Sequence, residues 1–134
     1  MKKVVLALLS AGFVASSSFA TIALACAEGS FLPRPNSRGD FTPRNANTYQ
    51  SETNGMVTWP TWRVVSSDGE LNCRATPNGR IMKVYLARRD RIQAETRGAN
   101  AISFSGGAPW MLTRDRCYVR ANARYIQPIQ SELL

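Results

Sequence analysis

The sequence predicts an all-β fold, a small barrel of five to six short antiparallel strands. Three observations lead there. From Met56 onward, short apolar and aromatic runs are separated by clusters of Gly, Asn, Asp, Ser and Pro, the pattern of strands and turns. No stretch of that region keeps a helical period long enough to form a helix. The chain has 134 residues, room for one domain, and strands packed into about 70 of them favour a small barrel over a sandwich.

The elements follow in order. Residues 59–65 form the first strand, with Trp62 and Val64 on one face, and residues 71–74 the second, after the Ser66-Ser67-Asp68-Gly69 turn. Residues 81–87 are the third, where Met82, Val84 and Leu86 alternate with Lys83 and Tyr85. Arg88-Arg89-Asp90 reverses the chain into residues 91–97, where Ile92 and Ala94 alternate with polar neighbours. A period of two gives each of these strands one apolar and one wet face, so the pair is expected as a hairpin. A Gly/Ala/Ser-rich loop spans 98–108, then come strands at 109–113, with Trp110 and Leu112 on one face, and at 117–120. Residues 121–125 suit a single helical turn. Residues 28–56 are rich in Pro, Asn, Ser, Thr, Gly and Arg, with Phe31, Leu32, Phe41 and Tyr49 at no regular period. That composition is expected to be a disordered or extended linker arm. The folded domain is expected over 57–130 and a short tail over 131–134. Arg38-Gly39-Asp40 in the arm spells an adhesion tripeptide and reads as an ordinary solvated turn.

The amino terminus reads as a secretory leader over 1–27: Lys2 and Lys3, an apolar run from Val4 to Ala15, then small residues. Ala20, Ala25 and Ala27 each precede an acceptable cleavage point, whereas an uncleaved anchor from Val4 to Ala25 would conflict with the serine triplet at 16–18. The expected location is secreted or periplasmic, with no membrane span after cleavage. Lipidation at Cys26 is the alternative, although Ala23 stands where a lipobox has leucine. Three cysteines, Cys26, Cys73 and Cys117, leave an odd thiol unless Cys26 is removed or modified. Cleavage after Ala27, the favoured site, or lipidation leaves Cys73 and Cys117 to pair; cleavage after Ala20 leaves Cys26 as a loose thiol. The formal charge is +8, carried after the leader almost entirely by arginine, with Lys83 the lone lysine of that part. A basic exported domain meets anionic polymers or head groups, or uses the charge for solubility.

The segment Leu71-Asn72-Cys73-Arg74-Ala75-Thr76-Pro77 resembles the "LNVRSGPS" motif of bacterial SH3-like domains, with Asn72, Arg74 and Pro77 on the family's positions. The strand at 81–86, Arg89-Asp90 at the Gly-Asp turn, Pro109-Trp110, and Cys117-Tyr118-Val119 with Tyr125-Ile126 follow in the family's order. The resemblance covers residues 62–128 and implies an SH3-like β-barrel. Arg89 departs from the turn glycine, so the reversal there must avoid a positive φ or carry its strain. Cys73 and Cys117 stand where the family has valine and glycine. First and last strands lie near each other in such a barrel, so the resemblance implies a disulfide between them. By chain entropy, the loop it closes would be worth about 4 kcal/mol.

The chain contains no histidine, which removes Ser-His and Cys-His catalysis and the commonest zinc ligand. No enzyme, cofactor or metal site is expected, and Asp68, Glu70, Asp90, Glu95 and Asp115 form no evident pair for glycan hydrolysis. The expected function is binding of a cell-wall peptide (peptidoglycan) or a protein partner, since SH3-type grooves receive extended peptides between aromatics and the bacterial relatives are linked to wall-peptide recognition. Trp59, Tyr85, Tyr118, Tyr125, Arg74 and Arg120 are the candidate ligand-binding residues, with Trp62 and Trp110 assigned to the core. The alternatives are a structural or accessory envelope protein and a basic polyanion-binding protein using Arg88, Arg89, Arg91, Arg97, Arg114, Arg116, Arg120 and Arg124. Nucleic acid is not the expected partner, and the oligomeric state is left open.

Overall fold

The computed structural model describes residues 30–98 and 100–130. The expected leader, with Cys26 and its cleavage points, and the tail at 131–134 lie outside the described residues. Among those residues the chain forms one short helix, α1 (Pro43–Ala46), and ten strands. These are β1 (Tyr49–Gln50), β2 (Met56–Val57), β3 (Thr61–Val64), β4 (Glu70–Arg74), β5 (Ile81–Leu86), β6 (Arg91–Gln93), β7 (Ile102–Ser105), β8 (Ala108–Leu112), β9 (Tyr118–Arg120) and β10 (Ile126–Pro128). The protein is therefore all-β, as its turn-punctuated pattern predicted. The strands fall into three antiparallel sheets, ordered β1-β2, β10-β3-β6 and β5-β4-β9-β8-β7.

These sheets do not close into a barrel. The three- and five-stranded sheets are joined by one bridge, Ala94 to Thr113, with Glu95 N–H donating to the Leu112 carbonyl at 2.9 Å. At the far edge, β5 has only β4 as a strand neighbour. One core nevertheless serves both sheets: Trp62, Val64, Ile92 and Ile126 from the smaller, and Leu71, Cys73, Tyr85, Ile102, Met111 and Val119 from the larger. Burial of that apolar surface holds the open sheets together where barrel hydrogen bonds would have done so.

Several sequence expectations are corrected here. Residues 30–56 are not a disordered or extended linker arm. Phe41 is 1% exposed and meets Trp62 edge-on at 4.8 Å, while Ala46 is fully buried. Backbone bonds tie the segment down, Phe41 N–H to the Ala121 carbonyl and Trp59 N–H to the Ala46 carbonyl, each at 2.8 Å. The helix α1 opens on a capping box, Thr42 with Asn45, and has Pro43 at its first turn. The expected boundary at 57 cuts through the β1–β2 pair, in which Tyr49 faces Val57 and Gln50 faces Met56.

The strands at 81–86 and 91–93 are consecutive but are not a hairpin. β5 pairs with β4, Leu71 opposite Tyr85 and Asn72 opposite Val84, whereas β6 crosses to β3, Trp62 opposite Ile92. The reversal between them is tight, with the Leu86 carbonyl accepting from Asp90 N–H at 2.9 Å and Asp90 Oδ2 accepting from Leu86 N–H at 2.7 Å. Arg88 takes the left-handed conformation there, φ 68°, next to the arginine that replaces the expected glycine. The face of β5 is also reversed: Tyr85 is buried, while Met82 and Val84 are 48% and 37% exposed. An alternating strand states its period and leaves the choice of inner face to its neighbours. The expected 98–108 loop contains β7, whose Ile102 is buried opposite Met111. Residues 121–125 form a single turn, with the Asn122 carbonyl accepting from Tyr125 and Ile126 N–H.

Cys73 and Cys117 are joined by a disulfide, with Cα atoms 5.3 Å apart. It links neighbouring strands of the larger sheet beside the Arg74–Tyr118 pair, where the expectation had put the first and last strands of a barrel. Both cysteines are fully buried, and the Thr113 hydroxyl lies 3.6 Å from Cys117 Sγ and 3.8 Å from Cys73 Sγ.

Candidate functional site

The larger sheet has an inner face and an outer one. Along β4 the burial alternates, so Leu71 and Cys73 enter the core while Glu70, Asn72 and Arg74 point outward. Arg74 stands opposite Tyr118 on β9, and Arg120 stands opposite Trp110 on β8. Directly opposed residues present their side chains on the same face, so Arg74, Tyr118, Arg120 and Trp110 share the outer one. The 66–70 and 121–125 turns rise beside them. The result is a groove of about 290 Å³ whose walls include Asp68, Glu70, Arg74, Trp110, Arg120 and Tyr125.

The groove's two arginines are held differently. Arg74 donates from Nη1 to the Gly79 carbonyl at 2.8 Å, which fixes its guanidinium to the turn after β4. Arg120 lies over the Trp110 ring, 5.6 Å from its centroid, and its Nη2 is 4.0 Å from Asp40 Oδ1. Two donors are left over. Trp110 Nε1 and Arg120 Nε are both buried and lack a hydrogen-bond partner among the described residues. Leaving a buried donor unpaired costs about 1–3 kcal/mol, so two on residues packed against each other are an uncommon arrangement. Chemically, the groove offers N–H donors and positive charge from Arg74 and Arg120, with carboxylates at Asp68 and Glu70. Asp68 Oδ1 already accepts from Glu70 N–H at 3.0 Å.

No protein-family model, curated protein or solved structure matches this chain. The site therefore rests on its own geometry.

Of the six candidate ligand-binding residues, Arg74, Arg120 and Tyr125 line this groove together. Tyr118 is half-buried opposite Arg74 but is not part of the lining. Trp59 and Tyr85 belong to the core, each 3% exposed. Trp59 Nε1 donates to the Ile129 carbonyl at 2.8 Å. The Tyr85 hydroxyl donates to Asp115 Oδ2 at 2.6 Å, and burial together with that bond pushes its pKa far above the ordinary phenol value. The same bond, followed by Lys83 at 3.1 Å, holds Asp115 below the usual carboxylate range. These two aromatics are thus committed inward. Sequence reasoning placed Trp110 in the core, and it is 4% exposed, yet its edge also forms a groove wall. It missed Asp68, Glu70 and Asn72; the outward alternation of Glu70, Asn72 and Arg74 carried that signal.

Asp40 of the Arg38-Gly39-Asp40 tripeptide accepts from Asn122 Nδ2 at 2.8 Å, and its side chain is 14% exposed. Its carboxylate serves the fold, in keeping with the turn reading. Among the described residues no helix is long and apolar enough to cross a membrane.

Proposed function

We propose that this protein is an exported, non-catalytic binding module of SH3-like type that takes a short carboxylate-bearing peptide of the cell wall in the outer groove of its larger sheet. The observation that carries this reading is the pair of buried, unpartnered donors, Trp110 Nε1 and Arg120 Nε, beside Arg74. A ligand carboxylate would satisfy donors that otherwise lose their hydration without return. Asp68 and Glu70 suit the amino groups that wall peptides carry alongside their carboxylates. Export and wall peptide come from the sequence, through the leader pattern and the resemblance at 71–77, and the groove supplies the recognition chemistry.

The test is retention of the purified protein on peptidoglycan, followed by titration with a soluble stem-peptide fragment. Retention is expected, and Arg120→Ala is expected to weaken the titrated affinity at least about tenfold, the worth of one charge-assisted hydrogen bond. Trp110→Phe keeps the ring and removes the donor, so it should weaken binding less. Lack of retention at low and high salt alike would refute the reading.

A further inference from the structure

We propose that a cleft between residues 31–35, α1 and β10 binds a long-chain alkyl carboxylate, a single-chain fatty acid. The cleft measures about 1030 Å³ and shares no lining residue with the peptide groove, so each site can fail independently. Phe41, Val65 and Ile126 give it apolar walls. Phe31 and Leu32, 63% and 37% exposed, carry that apolar surface out to the rim. A concave, mainly apolar surface with a few polar groups is the usual make-up of a small-ligand site.

The polar part of the lining decides which occupant fits. Pro33, Pro35 and Pro128 have no N–H to offer. Asn45 is spent within the fold, its Nδ2 donating to the Asp40 carbonyl at 3.1 Å and its Oδ1 accepting from Thr42 N–H at 2.9 Å. Asn47 Oδ1 accepts from the Thr58 hydroxyl at 2.9 Å, and Gln127 Oε1 accepts from Arg63 Nε at 3.0 Å. A peptide laid here would bury main-chain groups against walls with little to pair them, whereas an alkyl chain needs no pairing.

The same lining supplies the charge and a donor for one end of the ligand. It holds Arg34 and Arg44, both exposed, and no carboxylate among the described residues. It also holds Thr48, which is 3% exposed and whose buried hydroxyl lacks a hydrogen-bond partner among the described residues. A hydroxyl in that position has lost its hydration without return. A carboxylate head accepts from the Thr48 hydroxyl while the long, forked arginine side chains close over it, and the alkyl chain follows the apolar walls.

The experiment is calorimetric titration of the purified protein with laurate below its micelle-forming concentration, alongside thermal unfolding. Saturable binding is expected. Butyrate, with the same head and a short chain, and dodecyltrimethylammonium, with the same chain length and a cationic head, should each bind at least about tenfold more weakly. The double variant R34Q/R44Q changes only exposed side chains and should cut laurate affinity about tenfold. R80Q/R114Q removes two exposed arginines elsewhere and should leave it within about twofold. Thr48→Val keeps the branched shape without the hydroxyl, and should weaken laurate about fivefold while leaving the Tm of the ligand-free protein no lower. Ala123→Trp, at an exposed lining position, should fill the cleft and weaken laurate about tenfold or more. No laurate binding, equal affinity for laurate and dodecyltrimethylammonium, equal losses in R80Q/R114Q and R34Q/R44Q, or capture of an acetylated Leu-Glu-Leu-Glu peptide in place of laurate would each overturn the proposal.

Discussion

Glu95 shows how much one side chain can depend on its neighbours. It is 6% exposed, and Arg97 serves both its oxygens, Nε to Oε1 at 2.8 Å and Nη2 to Oε2 at 2.6 Å. Those bonds, first among the causes, lower its pKa from the ordinary 4.5 to about 2. A depressed folded-state pKa means that the unfolded chain takes up the proton first as pH falls. The stabilisation from Glu95 is therefore complete above about pH 4.5 and is lost as pH falls through about 2. Asp90, held low by the Leu86 N–H and then by Arg89, and Asp115 act in the same direction. Glu95→Gln should lower stability at neutral pH by about 1 kcal/mol, modest because its guanidinium partners, Arg97 and the more distant Arg116 at 3.9 Å, face water. The gap between variant and parent in thermal unfolding should close as pH approaches 2. A gap that persists there would place the effect in packing. In sequence, Glu95 was only one of several acids near turns; its burial comes from β6 running alongside the end of β8.

At the level of elements, the instructive case is the segment before β2. Averaged over residues 28–56, its composition is that of a chain unable to bury itself, and by itself that is sound. Two of its side chains, Phe41 and Ala46, instead complete a core built mainly by other strands. A local signal was present, since Thr42-Pro43-Arg44-Asn45 carries a cap, a first-turn proline and the reciprocal cap residue. Phe41→Ala should cost about 3 kcal/mol, the range for emptying a buried aromatic site. Urea unfolding measures this, and an unchanged midpoint would mean that the segment contributes nothing to the fold. The β5 misreading has a related cause. An edge strand with solvent beside it need not bury its aliphatic row, and Tyr85 turns inward, where its hydroxyl donates to Asp115 Oδ2 at 2.6 Å with the Thr113 hydroxyl beside it.

For the molecule as a whole, open sheets on a shared core leave much of the tertiary order to a few ties between distant parts. The Cys73–Cys117 bond is the strongest of them, closing a separation of 44 residues. By chain entropy it stabilises the fold by about 4 kcal/mol, a large fraction of what a domain of this size holds in total. The C73A/C117A variant should lose roughly that amount in denaturant unfolding, with reduced parent protein behaving likewise. If neither loses more than about 1 kcal/mol, the core and hydrogen bonds suffice without the bond.

The sequence by itself determined the class of this protein and the places of β3, β4, β5, β6, β8 and β9, but not those of β1, β2 and β7. Short apolar runs between turn residues dictate β structure, because backbone preference and the period of two are local properties. It also identified Cys73 and Cys117 as the pair to be joined and named Arg74, Arg120 and Tyr125 as binding candidates. Only the tertiary structure decided which strands pair, that the sheets stay open, that residues 30–56 join the core, and that Trp59 and Tyr85 face inward while Trp110 borders a groove. The physical reason is range. Alternation fixes that a strand has two faces, but which face is buried, and against what, depends on residues far along the chain whose approach no local pattern encodes. The groove, with two buried donors that lack a partner among the described residues, is a product of that long-range register.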